Sequence, residues 1–381
     1  MNDIPPLPTP IPLSDFRLAG VALESALPGE KVPVLVRAEL TSDEPEFYDY
    51  MQNLSGAISA SAQKSGVLIS WDSVCNFVLV THKDGTADLY IQHIPMSAEI
   101  LAKRDFKAGE MVFQSGVADV RRIQIPGLEV KPDDGVIVCF KVGWKFALFF
   151  DLATDRHLDS GGVERSLGRL YRLLSFQDLY EALSDQKLFD QLVESGWFPF
   201  VEISGGEFQK LLKAYRVDFD IDAEKQRLID KFDAARIDAI ADRWRNRPSL
   251  TGRTKILNSA LESFKRNDSV ACLKTLLTEM EGIIQEVRIA ETGTGTSIKK
   301  LLEYAAEKGV KKTGDKESLL FPKQFLHYLS SYTYAQFDPK NPDTGVFSRH
   351  SVGHGGAKPD AYTQERALQA ILTVDQLSFY L

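Results

Sequence analysis

Val270-Ala271-Cys272-Leu273-Lys274-Thr275-Leu276-Leu277-Thr278-Glu279-Met280-Glu281-Gly282-Ile283-Ile284-Gln285-Glu286-Val287 decides how the C-terminal part of this chain is read. Apolar residues fall at 270, 273, 276, 277, 280, 283, 284 and 287, the three-and-four spacing of a helix with a broad buried face. The pattern predicts a helix over about 268–290. Similar spacing predicts helices at about 254–265, 297–308, 316–334 and 361–380, so residues 251–381 read as a compact helical bundle. Within its longest helix, Glu281 is the carboxylate to watch. Such a residue is ordinarily a solvated side-face group, and its functional alternative is to orient a neighbouring base.

Upstream, residues 154–250 read as a helical middle region. Leucines recur every three or four positions over 164–194, the Gly196-Trp197-Phe198-Pro199 stretch breaks the pattern, and Gly205-Gly206 precedes a short helix. Asp222 reads as the N-cap of one helix running to Arg245, with Pro248 stopping it. Residues 15–153 carry strand signals at Val32–Ala38, Gly66–Trp71, Cys75–Val80 and Ala87–Gln92, with a turn at Lys83-Asp84-Gly85, and Val117–Ile125 reads as continuing the same sheet. Pro45–Ala62 supplies a helix, and Gly135–Leu152 reads as a hairpin, since Lys141 and Lys145 interrupt what would otherwise suggest a membrane span. Residues 1–14, with prolines at 5, 6, 8, 10 and 12, read as an extended arm with no packed structure of its own, either a mobile tail or a segment covering an edge. The expected class is α+β: a mostly-β or α+β N-terminal domain, a helical region, then the bundle.

Composition sets limits on function. The 381 residues carry a net charge of −8, which excludes a generic basic coat for nucleic acid but leaves room for a local basic site. Arg243, Arg245, Arg247, Arg253 and Lys255 are the obvious cluster, and a solvated helix end is the simpler account of it. Lys299, Lys300, Lys308, Lys311 and Lys312 add positive potential further on. Cys75, Cys139 and Cys272 are widely spaced among apolar neighbours and read as buried free thiols. The proline-broken N-terminus lacks a secretory signal, so the expected location is the cytoplasm, away from membranes. Asp218–Asp222 lacks the glycine and distal glutamate of a calcium loop, and Gly293–Lys300 lacks the pattern of a phosphate loop.

Chemistry concentrates in Ser348-Arg349-His350-Ser351-Val352-Gly353-His354-Gly355-Gly356, which holds two of the six histidines beside an arginine. Cleaving RNA by its own 2′-hydroxyl needs a base, an acid and a cation for the crowded phosphorane. Histidine titrates near neutrality and serves either proton task, while arginine offers a permanent planar fork to phosphate oxygens. On a continuous helix Arg349 and His354 would point roughly 140° apart, so the glycines favour a loop or a frayed helix end. His350 and His354 have the spacing of a zinc pair but no third ligand nearby, and neither metal nor cofactor is expected. Residue types alone leave a purely structural, hydrogen-bonded loop equally open.

This stretch, followed by Tyr362-Thr363 and the apolar run Ala367–Leu372, resembles the C-terminal signature of HEPN domains (higher eukaryotes and prokaryotes nucleotide-binding). An arginine and a histidine separated by four to six residues mark that family, and here four residues separate Arg349 from His354. Leu277–Ile284, with its Glu281-Gly282 pair, resembles the long helix of abortive-infection members. The resemblance spans roughly the last third of the chain and implies a metal-independent endoribonuclease of toxin or antiphage-defence type. It further implies a homodimer joined through the bundle, a composite site, RNA as substrate, and an N-terminal domain that meets a trigger or an inhibitor. Arg349 would then stabilise the scissile phosphate and His354 act as principal acid and base. His350 would occupy the family's polar position, and Glu281 would be an auxiliary orienting group. Ser348 stands where many relatives have asparagine. A catalytically inert dimerisation or nucleotide-binding scaffold, whose N-terminal domain recognises a partner, is the alternative the family also allows.

Overall fold

A computed structural model describes residues 5–16, 20–152, 157–338 and 347–381. The first four residues of the proline-rich arm lie outside them. Two compact units divide the chain: Met1–Ile100 with Val120–Gln177, and Leu101–Asp119 with Asp178–Leu381. The compositional changes near 153 and 250 therefore mark changes of texture, while the units divide at 177 and the second one takes in the excursion 101–119.

In the first unit a six-stranded antiparallel sheet runs in the order β1 (Ile11–Leu13), β6 (Ala87–Ile91), β5 (Phe77–Thr81), β9 (Gly135–Val142), β10 (Lys145–Asp151), β4 (Arg37–Thr41). The described end of the arm is thus an edge strand, and Leu13 is buried. Because successive strand residues face opposite ways, β5 sends Phe77 and Leu79 to one core and Val78 and Val80 to the other. Helix α1 (Pro45–Lys64) covers the first face and α2 (Ser160–Ser175) the second. Both faces being dry explains why β5, β9 and β10 read as apolar runs and not as alternating patterns.

Two strand expectations are corrected. Gly66–Trp71 is not a strand: Val67, Ile69 and Trp71 pack on the α1 side of the core, and Trp71 Nε1 donates to Ser59 Oγ at 2.8 Å. The apolar alternation is present there without a ladder. Strand β8 (Val117–Gln124) does not extend the main sheet but pairs with β7 (Ser97–Ala102) in a separate ribbon. Strands β2 (Val21–Ala22) and β3 (Val34–Leu35) form another. Cys75 is exposed, contrary to expectation, whereas burial pushes the Cys139 and Cys272 thiols up to about 12.

Helix α2 lies directly on the backbone of β8. A Cβ at Gly168 would sit 2.7 Å from the Arg122 Cα and 3.0 Å from the Arg121 carbonyl oxygen, and backbone cannot yield as a side-chain tip does. Gly168→Ala should therefore destabilise the first unit by about 1–3 kcal/mol in chemical denaturation, and an unchanged midpoint would contradict this packing.

The second unit is helical: α3 (Gln177–Ser184), α4 (Gln186–Glu194), α5 (Gly206–Val217), α6 (Ile221–Asp230), α7 (Ala234–Arg245), α8 (Thr254–Lys265), α9 (Ser269–Thr292), α10 (Ile298–Thr313), α11 (Pro322–Tyr328), α12 (Arg349–Gly353) and α13 (Gln364–Tyr380). The single helix expected over 222–245 is two, because Asp233 accepts from the Arg236 N–H at 2.9 Å and caps a new start. Every residue of α13 from Ala367 to Tyr380 is buried, and its polar side chains are matched one by one. Gln376 accepts from the Val201 N–H at 2.7 Å, Gln369 donates to the Ser195 carbonyl at 2.9 Å, and Asp375 accepts from Trp244 Nε1 at 2.9 Å. Among the described residues no helix is long and apolar enough to cross a membrane.

Candidate active site around Arg349 and Glu281

The glycine-punctuated stretch is not a loop at its centre. Ser348, in extended conformation, caps α12 through a reciprocal pair: its Oγ accepts from the Ser351 N–H at 3.4 Å, and Ser351 Oγ accepts from the Ser348 N–H at 2.9 Å. Serine is among the strongest N-cap residues, and its hydroxyl takes up one of the otherwise unpaired N–H groups of the first turn. Glycine freedom is used just past the turn, where Gly355 takes φ 71°. Gly356 is tight for a different reason: a Cβ there would meet the Phe337 ring at 2.2 Å. Ser348→Ala should cost about 1 kcal/mol of local stability, read as faster exchange of the Ser351 and Val352 amides with the global fold intact. Unchanged exchange would mean that the cap is dispensable.

Capping aims the first residue of the turn at the long helix. Arg349 Nη2 lies 2.7 Å from Glu281 Oε2, both side chains about one-third exposed, at 29% and 35%. The expected neighbourhood of Arg349 and Glu281 is therefore present, with Glu281 engaging the arginine directly and not a histidine. Arg349 Nε is buried and has no hydrogen-bond partner among the described residues. That leaves at least one buried donor of the guanidinium without an acceptor among the described residues.

His350 is half-buried, its ring edge-on to Tyr334 with centroids 6.3 Å apart. Burial lowers its pKa, the charges of Arg349 and His354 lower it further, and Glu281 opposes them. The imidazole is thus neutral at pH 7 and able to accept a proton. His354 is exposed at the C-cap, its N–H donating to the His350 carbonyl at 3.0 Å, and its side chain has no ion pair or hydrogen bond among the described residues. One chain thus gathers Glu281, Arg349 and His350, and leaves His354 facing solvent one turn on. No group of three or more His, Cys, Asp or Glu among the described residues could hold a metal ion.

Sequence reading missed the residues that wall this site. A π-turn over Leu329–Thr333, closed by the Tyr334 N–H to the Leu329 carbonyl at 2.8 Å, delivers Tyr334 beside His350. Its hydroxyl is buried without a hydrogen-bond partner among the described residues, and burial, then Glu281, raise its pKa against the pull of Arg349. Next to α12, cations and rings alternate: Arg366 lies 4.5 Å over Phe347, Phe347 meets Tyr362 edge-on at 5.5 Å, and Lys274 lies 5.8 Å over Tyr362.

The other basic candidate disperses. Arg243 lies between Glu202 at 2.7 Å and Asp375 at 2.8 Å, Arg245 pairs with Asp242, and Arg253 is held by Glu279 and Glu286. For Arg243 the solvated helix end expected from sequence gives way to a buried ionic contact. Gly282 explains how Arg253 reaches α9, since a Cβ there would meet its guanidinium at 2.6 Å. No protein-family model, curated protein or solved structure matches this chain.

Proposed function

We propose that this chain is a metal-independent endoribonuclease of HEPN type, working through Arg349, His354, His350 and Glu281. The observation that carries the reading is the Arg349–Glu281 contact at 2.7 Å beside a neutral His350, on a capped turn that ends in an exposed His354. In the proposed reaction a histidine removes the proton of the RNA 2′-hydroxyl, and its oxygen attacks the adjacent phosphorus. Arg349 holds the phosphorane charge through its fork, and a protonated histidine gives its proton to the departing 5′-oxygen. Glu281 fixes the guanidinium plane and limits where that fork points. The alternating Arg366, Phe347, Tyr362 and Lys274 side chains suit single-stranded RNA, offering ring faces to bases and cations to phosphates.

Each copy of the turn supplies one solvent-facing histidine as a mobile proton group, so the reading takes a homodimer, with a second copy of the turn completing the site. The resemblance adds the biological setting of a toxin or antiphage effector restrained or triggered through the N-terminal unit. One observation favours the second reading, an inert dimerisation or nucleotide-binding scaffold: Glu281 already neutralises Arg349. Product chemistry separates them. Single-stranded RNA incubated with the full chain in chelator should yield 2′,3′-cyclic phosphate and 5′-hydroxyl ends, and absence of both under conditions that keep the dimer supports the scaffold.

A further inference from the structure

Partly buried cations of the helical unit are ion-paired or hydrogen-bonded as a rule. Arg236 bonds Glu202 and Glu207, Arg243 bonds Glu202 and Asp375, Arg253 bonds Glu279 and Glu286, Lys308 bonds Glu291, and Lys265 bonds Asp238. Arg247 and Lys312 break the rule. Both are only partly exposed, and neither side chain makes a hydrogen bond or ion pair among the described residues. Arg247 follows the end of α7 and lays its guanidinium 4.6 Å over the Phe379 ring. Lys312 lies one turn beyond Gly309, whose backbone rests on the Tyr380 ring, so close that a Cβ would be 3.0 Å from it. Phe379 and Tyr380 are neighbours at the end of α13, so the two cations come to the same end of the unit.

We propose that Arg247 and Lys312 form a binding site for a phosphate monoester dianion, remote from Arg349 and independent of the ribonuclease reading. Two like charges withdrawn from water oppose each other, and the Lys312 ammonium shows it: burial first, then Arg247 and Lys308, push its pKa down to about 8. Burial lowers the pKa of Arg247 as well, and Arg243 adds to this. Two carboxylates favour the charge of Arg247, but Asp375 is already engaged by Arg243 and Trp244, and Asp105 makes no ion pair with it among the described residues. Helix C-termini commonly attract cations, yet a cation held that way donates to terminal carbonyls, and neither of these does. Two residues past Arg247, Ser249 Oγ is buried with no hydrogen-bond partner among the described residues, a further donor without an acceptor. A planar fork, a point ammonium and a hydroxyl suit a tetrahedral oxyanion. Two positive charges call for two negative ones, which a monoester supplies and a backbone diester does not. Along α13, 17 residues separate this end from the Thr363 end, about 25 Å at the helical rise.

The test uses the full chain, with inorganic phosphate as probe, dimethyl phosphate as the singly charged comparison and chloride at matched ionic strength. Phosphate should raise the melting temperature saturably, chloride should not, and dimethyl phosphate should have little effect at equal concentration. Lys312→Met should weaken phosphate binding by about 10- to 100-fold, the loss of one charge-assisted contact, and should raise the phosphate-free melting temperature by relieving repulsion. Arg247→Gln should weaken binding similarly. If losing its stacking on Phe379 prevents folding, Lys312→Met alone decides. An unresponsive wild type, or an equal phosphate response in Lys312→Met, overturns the site. Equal shifts by dimethyl phosphate or by an RNA without terminal phosphate overturn the monoester assignment and point to backbone phosphates.

Discussion

RNA cleavage should fall by about 10²- to 10⁴-fold in His354→Ala, the range for removal of a positioned acid–base group. The exposed His354 side chain makes no hydrogen bond or ion pair among the described residues, so the substitution should leave folding untouched and isolate chemistry. Arg349→Ala should lose about 10²- to 10³-fold, as for removal of a donor aimed at developing charge. Here Glu281 loses its partner too, so melting temperature must be compared alongside. Arg349→Lys keeps the charge and loses the fork, and should recover only part of the activity. Rates on one defined single-stranded RNA, with 2′,3′-cyclic phosphate ends as readout, check all three variants. Equal cleavage by wild type and variants would remove the site from these residues.

Asp375→Ala should destabilise the helical unit by about 3–5 kcal/mol, the cost of breaking a buried ion pair from one side. The carboxylate is 1% exposed and accepts from Arg243 Nε at 3.0 Å, from Arg243 Nη2 at 2.8 Å and from Trp244 Nε1 at 2.9 Å. Burial works against the Arg243 charge, and Asp375 with Glu202 outweighs it, so the guanidinium pKa is raised. Losing Asp375 leaves that charge half-compensated and orphans the indole N–H. Urea unfolding followed by tryptophan fluorescence tests the magnitude, because Trp197 and Trp244 are both fully buried in this unit. Replacing Arg243 and Asp375 together by apolar residues of similar volume should cost much less, since no unpaired charge remains. A loss below 1 kcal/mol in the single variant would mean that Glu202 alone suffices.

How much of this was legible depends on whether the signal was local. The apolar face of 270–287 specified α9 directly, and the apolar run of Gly135–Leu152, interrupted by Lys141 and Lys145, specified the β9–β10 hairpin, because each pattern is complete within its own segment. Gly66–Trp71 misled, since alternation records burial and not the presence of a partner strand. In α13 the sequence offers Gln369, Thr373, Asp375, Gln376 and Ser378, which look like an exposed face. Their partners, such as Ser195, Trp244 and Val201, lie more than a hundred positions away, so nothing local announces that the face is buried. At the site, residue types singled out Arg349 and Glu281, which do meet. Tyr334 went unnoticed, because only the π-turn before it sends its ring to His350.

The excursion of Leu101–Asp119 into the helical unit has a consequence for taking the protein apart. The chain passes from one unit to the other at 100/101, 119/120 and 177/178. Lys103 donates to the Glu202 carbonyl at 2.7 Å, and the Asp119 carboxylate accepts from the Leu319 N–H at 2.9 Å, so the excursion brings parts the helices use. No single cut of the gene therefore encodes either unit whole: a clone starting at 178 lacks both side chains, and one ending at 177 carries them with nothing to bind. Separating the units intact calls for excising 101–119 and rejoining it to the helical portion by circular permutation.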